Sequence, residues 1–232
     1  MKNSILYVLV VIMALSASCQ QSSKSVKLES NADSVSYAIG ILVGSNNLQQ
    51  LESAPGKDEI SKEAMAAAFS AISMGEETKI TEEEANNLVR TFFESAGEKQ
   101  AQKNLEEGNA FLETNKSREG ISVTESGLQY EVLTEGSGAK PSAEDRVRVH
   151  YHGTLIDGTV FDSSVERGEP AVFGVGQVIP GWTEALQLMP VGSKWKIYLP
   201  SAIAYGERGA GGDIGPNSAL IFEVELLEIV KE

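Results

Sequence analysis

The chain has 232 residues, enough for one large domain or two small ones, and 41% of them are hydrophobic, an ordinary share for a protein with a buried core. Its 33 acidic residues against 19 basic ones give a formal net charge of −14. That balance excludes a nucleic-acid binder, which needs a basic face, and favours solubility.

The N-terminus, "MKNSILYVLVVIMALSASCQQSSKS", opens with Lys2 and an unbroken apolar run from Ile5 to Leu15. The run is shorter than the about 20 apolar residues of a membrane span and has the length of an export-signal core. Ser16, Ala17 and Ser18 lead into Cys19, the only cysteine, so the chain forms no internal disulfide. An ordinary cleaved signal is one reading. A sole cysteine at this place resembles the lipobox of bacterial lipoproteins, although Ser16 stands where that pattern has Leu, Val or Ile. The expectation is a signal over residues 1–18, lipidation of Cys19 and a polar tether over 19–30.

From about Asn31 the pattern is helical. In "NADSVSYAIGILVGSNNLQQL", Val35, Ile39, Leu42 and Val43 recur every three to four residues, and Gly40 and Gly44 leave room for close backbone approach. A second helix is expected in "DEISKEAMAAAFSAISMG", with Met65, Ala68, Phe69 and Ile72 on one face and Gly75 as its stop. A third opens at Thr81, which has capping-box spacing to Glu84, and runs to about Asn115. At 1.5 Å per residue it is roughly 50 Å long. Leu88, Phe92 and Phe93 give its start an apolar face, but Glu94 to Asn104 reads as polar all round. Such a helix bridges bodies through solvent, as a stalk. Three helices with so little apolar material form either a thin monomeric core or a dimer interface; a dimer is the expectation.

After "SREG" the periodicity becomes two. "GLQYEVL" and "RVRVHYHGTLI" alternate, Asp157-Gly158 marks a hairpin turn into "TVF", and "WKIYLP" and "ALIFEVELLEIV" supply two more strands. Only "GWTEALQLM" reads as a helix here, with Trp182, Ala185, Leu186 and Met189 in register. An antiparallel sheet on one short helix is an α+β architecture.

Motifs for group transfer are missing. His150 and His152 share one strand face with Arg146 and Arg148 but have no further ligand candidates, so no metal is expected. The glycine-rich "GERGAGGDIGP" of residues 206–216 lacks the Gly-Lys-Ser/Thr ending of a phosphate loop and reads as a surface loop. No GxSxG elbow occurs. What stands out is a set of aromatics: Tyr151, Phe161, Phe173, Trp182, Tyr205 and Phe222.

In order and setting, "VHYHGTLIDGTVFDSS", "QVIPGWTEALQLM", "LPSAIAYG" and "IGPNSALIFEVELL" resemble the FKBP-type peptidyl-prolyl cis-trans isomerases over about residues 125–232. "DSVSYAIGILVG", "EEGNAFLETNK" and "GLQYEVLTEG" are similar to the helical region of the two-domain bacterial branch, the macrophage infectivity potentiator (Mip) type. The resemblance implies a helical dimerisation domain with a long stalk helix over 31–122 and an isomerase domain over 123–232. It implies isomerisation of X-Pro bonds without a cofactor, in proline-containing unfolded or partly folded chains of the periplasm or cell envelope. The protein would be a homodimer that reaches the outer membrane only through lipidated Cys19.

By the same resemblance, Tyr151, Phe161, Asp162, Trp182, Tyr205 and Phe222 would be catalytic. Arg167, Phe173, Val178, Ile179 and Ile214 would bind substrate, and macrolides could inhibit. Ala171, where single-domain members often have an aromatic, and Ala210, where some have a histidine, bear on macrolide affinity and on preference for the residue before proline. The alternative is a holdase chaperone whose isomerase activity is incidental.

Overall fold

The computed structural model describes residues 26–230. The expected signal sequence and Cys19 lie outside the described residues. The described residues divide into two compact units, with the boundary between Leu48 and Gln49.

Three helices come first: α1 (Asn31–Glu52), α2 (Lys62–Met74) and α3 (Glu82–Asn115). Their ends follow local chemistry. Ser61 caps α2 by accepting from Ala64 N–H, and Gly75, in the left-handed region at φ 70°, ends it. At the start of α3, Glu84 N–H donates to Thr81 Oγ1 at 3.2 Å while Thr81 N–H donates to the Glu84 carboxylate at 2.8 Å. This reciprocal box satisfies two of the helix's unpaired donors. No residue of α1 or α2 is buried. Among the described residues, no helix is long and apolar enough to cross a membrane.

The polar middle of α3 corrects the sequence expectation. It is not bare on all sides: Ala96, Gly97, Gln100, Ala101 and Asn104 are half-buried and Gly108 is buried, at helical spacing. A Cβ on Gly56 would lie 3.0 Å from that of Ala96, so the 54–57 turn packs closely there. A search for large apolar residues misses such a stripe, because small and amide side chains build it.

The sheet has seven antiparallel strands: β1 (Ile121–Val123), β2 (Gln129–Thr134), β3 (Arg146–Leu155), β4 (Val160–Ser163), β5 (Ala171–Gly174), β6 (Lys194–Leu199) and β7 (Leu220–Val230). Their order is β1-β2-β6-β7-β3-β4, with β5 also on β3. β1, β5 and the four-residue helix α4 (Ser164–Arg167) go beyond the expected elements, being too short for a periodic pattern. The expected short helix is α5 (Pro180–Leu188), with Pro180 in its first turn.

α5 lays Trp182, Ala185 and Leu186 on one face of the sheet, against Val147, Val149, Ile197, Leu199 and Val224. The end of α3 covers the other face, where Leu112 packs with Tyr198 and Ala219. Polar bonds lock that end in place. Asn115 Nδ2 donates to Gln129 Oε1 at 2.9 Å, and Gln129 Nε2 donates to Leu112 O at 2.9 Å, all of them buried or nearly so.

Candidate functional site

β3 is the strand that positions the site. On one side it pairs with β7 along its whole length. On the other, β5 pairs with residues 146–149 and β4 with 152–154, leaving a gap at Tyr151. α4 fills that gap with a side chain in place of a strand. Tyr151 N–H donates to the fully buried Ser164 Oγ at 2.8 Å, and Ser164 Oγ–H donates back to Tyr151 O at 3.3 Å.

The β3–β4 hairpin is longer than a two-residue Asp-Gly turn. Leu155 N–H donates to Thr159 O at 2.9 Å and Gly158 N–H to Leu155 O at 3.1 Å, with Gly158 at φ 90° and Asp157 capping Thr159 N–H. Just beyond, the register slips: Gly153 pairs with Asp162, but Thr154 pairs with Val160. Phe161 is therefore the extra residue of a β-bulge, which re-aims a side chain. Strand alternation would send Phe161 and Asp162 to opposite faces; both line the same cavity.

That cavity has a volume of about 700 Å³. Trp182 lies among the rings. Tyr151, Phe173 and Phe222 meet it edge-on, with centroids 5.4, 5.8 and 5.2 Å away, and Phe161 crosses Phe222 at 5.4 Å. Each such contact adds about 0.5–1.5 kcal/mol beyond its burial, so the cluster is stiff. Gly153 makes the crossing possible. It faces Phe222 across the ladder, and a Cβ there would lie 2.7 Å from the Phe161 ring and 2.9 Å from that of Phe222.

The structure brings together at this cavity Tyr151, Phe161, Asp162, Phe173, Val178, Ile179, Trp182, Tyr205, Ile214 and Phe222. Arg167 does not line it. It stands behind, where α4 returns its guanidinium to Tyr151 and Asp162. Sequence reasoning missed Gly153 and Ser164, and it also missed Gln177 and the Gly211–Gly212–Asp213 tip as lining residues. A glycine inside a strand pattern was the available signal for Gly153. Nothing distinguishes Ser164 before the gap at Tyr151 is known.

A polar rim borders the rings. Tyr151 O–H donates to one Asp162 oxygen, Arg167 donates to the other, and Arg167 Nη2 donates to Tyr151 Oη at 2.8 Å. The Arg167 guanidinium also lies 5.5 Å from the centre of the Tyr151 ring. Burial works to raise the Asp162 carboxyl, but hydrogen bonds from Tyr151 and Arg167 outweigh it and hold it below its ordinary value. Burial, seconded by the bond to Asp162, pushes Tyr151 up. Arg167 is raised by Tyr151 and then by Asp162. At neutral pH the rim is thus a carboxylate, a neutral phenol and a guanidinium, with no group poised to exchange a proton.

His150 and His152 stand outside the cavity, 3.2 Å from Ser164 Oγ and 3.0 Å from Ser163 Oγ. Among the described residues, no cluster of three or more His, Cys, Asp or Glu could hold a metal ion.

The chain is similar to known proteins over most of its length. The pattern of the FKBP-type peptidyl-prolyl cis-trans isomerase family matches residues 137–227, and that of the domain amino-terminal to it matches residues 32–132. The chain is 50% identical over 198 residues to the FKBP-type 22 kDa peptidyl-prolyl cis-trans isomerase of Escherichia coli, covering 84% of this chain and 94% of that one. It is 43% identical to the outer membrane protein MIP of Legionella longbeachae, over 95% of both chains. Among solved structures, FkpA from Escherichia coli superposes with a TM-score of 0.65 at 34% identity, over 88% of this chain and 98% of that one.

Proposed function

Because this chain belongs to the FKBP-type peptidyl-prolyl cis-trans isomerases, we propose that the cavity floored by Trp182 is where X-Pro bonds of its substrates rotate. Unaided, that rotation crosses about 18–20 kcal/mol and takes tens to hundreds of seconds. Resonance makes the planar amide polar and well solvated, and the twisted transition state loses that resonance. A dry aromatic cavity therefore disfavours the planar ground state more than the twisted one. No nucleophile or proton donor is needed. The observation that carries this reading is the set of rings closed around Trp182 with a saturated ionic rim.

In this reading Trp182 lies under the proline ring, with Tyr151, Phe161, Phe173 and Phe222 as walls and Val178 and Ile214 at the border. Ile179 N–H, which donates to no backbone oxygen among the described residues, meets a substrate carbonyl, and the Tyr205 hydroxyl meets a second. Asp162 and Arg167 keep the Tyr151 ring in place. A tetrapeptide isomerisation assay tests the assignment: wild type accelerates, and Asp162→Leu lowers turnover while the domain stays folded. Unaltered turnover in Asp162→Leu removes that residue from the mechanism, and no acceleration by the wild type leaves only a binding cleft.

The same proposal divides the chain at residue 123, into a helical dimerisation domain over 31–122 and the isomerase domain. Exposed apolar residues of α1 and the open space around Gly40 and Gly44 support a homodimer through these helices. The clients are exported proteins of the periplasm or cell envelope. That location is supported by the name of the Legionella relative and by the export-like N-terminus, and macrolides would enter the same cavity. Lipidation of Cys19 anchors the protein to the outer membrane; uptake of labelled palmitate, lost in Cys19→Ala, checks it, and an unlabelled wild type refutes it.

A further inference from the structure

The loop between β6 and β7 carries Tyr205 and Ile214 to the cavity, and Ile214 is buried among its rings. Within the loop, Asn217 N–H donates to Gly206 O at 2.8 Å, and Ala210 and Ile214 exchange backbone bonds of 2.8 and 3.2 Å. The root just after Ile214 is held differently. Pro216 has no N–H to offer a neighbouring strand. Asn217 is the only non-glycine residue at positive φ among those described, at 57°, a conformation that costs an ordinary side chain about 1 kcal/mol.

Besides the bond from Asn217 N–H and one from Ser218 Oγ to Gly215 O at 2.9 Å, the half-buried stripe of α3 holds this root. Asn104 Nδ2 donates to Pro216 O at 2.7 Å and lies 3.3 Å from Ser218 Oγ. Its Oδ1 accepts from Gln100 Nε2 at 2.7 Å, so the orientation of the amide is set from its own helix. Ala101 O accepts from Asn217 Nδ2 at 3.4 Å. One turn on, Gly108 lets the chain come close: a Cβ there would lie 3.0 Å from that of Ala219. The loop backbone is equally near, since a Cβ on Gly215 would lie 2.9 Å from Asn104 Nδ2.

We propose that Asn104, on the long helix and outside the cavity, is a positioning residue for isomerisation: it fixes Pro216 and so keeps Ile214 over the bound proline. This rests on the reading of the Trp182 cavity as the isomerase site. Asn104 touches no substrate. Its contribution passes through Gly215, the one residue that separates Ile214 from Pro216 and its anchored carbonyl. A binding wall that shifts by about 1 Å can cost up to a hundredfold in rate, so a loosened root has a measurable effect.

The test uses the full-length protein and three variants: Asn104→Ala, Asn104→Asp and, as a control within the cavity, Phe222→Ala. Alanine favours the helix, and aspartate keeps the shape but turns a carboxylate toward Pro216 O. Expected for Asn104→Ala is a fall of about tenfold in kcat/KM, carried mainly by KM, with a cooperative thermal transition like that of the wild type. Asn104→Asp falls at least as far. In both, hydrogen exchange speeds up at the Ile214 and Asn217 amides and not in β3 or β7. Wild-type kcat and KM in both Asn104 variants, while Phe222→Ala is inactive, overturns the role of Asn104 alone. Full activity in Asn104→Asp with loss in Asn104→Ala also overturns it, since packing and not donation would then matter. Full activity in Phe222→Ala overturns the reading of the cavity and takes the role of Asn104 with it.

Discussion

In α1, Val35, Ile39 and Leu42 are 51%, 57% and 70% exposed, whereas Val147, Val149 and Leu226 of the sheet are wholly buried. The residue types are alike, and burying each is worth about 1.5–3 kcal/mol. The sheet realises that stabilisation within one chain, because α5 and the end of α3 cover its two faces. The α1 helix does not. One region is finished as a folded and chemical unit; the other presents exposed apolar side chains.

The largest expected effect lies in the finished region. Trp182→Leu keeps the floor apolar but removes the surface on which three rings lean, and should lower kcat/KM about a hundredfold without loss of cooperative unfolding. A tenfold or smaller loss would mean that the rings, not the floor, set the rate. Gly153→Ala comes next. Its methyl group would drive the Phe161 and Phe222 rings apart, so turnover should fall about tenfold and stability by about 1–3 kcal/mol. A crystal structure of that variant with both rings unmoved would contradict the argument.

In the helices the effect should be on mass and not on chemistry. Ile39→Glu combined with Leu42→Glu should halve the sedimenting mass and leave tetrapeptide turnover as it was. If the mass is unaltered, α1 is not the interface.

The smallest effect is that of pH. The Asp162 carboxyl is depressed in the folded state, so its contribution to stability is present above its ordinary value of 3.8 and is lost as pH falls through the lower folded value. The Tyr151 phenol is raised, so its contribution holds below its ordinary value of 10.0 and is lost as pH rises through the higher folded value. Activity should therefore stay flat between those limits. A titration near neutrality would mean that the reaction moves a proton after all.

Much of this was legible in the residues. The cap of α3 needs only Thr81 and Glu84 at the right spacing, since local hydrogen bonds decide it. β3 could be read from its alternation, and the cavity rings from their aromatic character and their resemblance to a known family. The stripe of α3 could not, because alanine, glycine and asparagine carry no apolar signal until the loop that covers them is in place.

The sequence by itself determined which residues would be apolar, where helices would begin and what chemistry the site could not perform. Tertiary structure decided the rest: the bulge that turns Phe161 to the side of Asp162, the buried Ser164 that fills the gap at Tyr151, and the empty side of Gly153. Each of these depends on which strand stands opposite at one particular register. Register is settled only when the sheet closes on its core, so no local pattern can announce it.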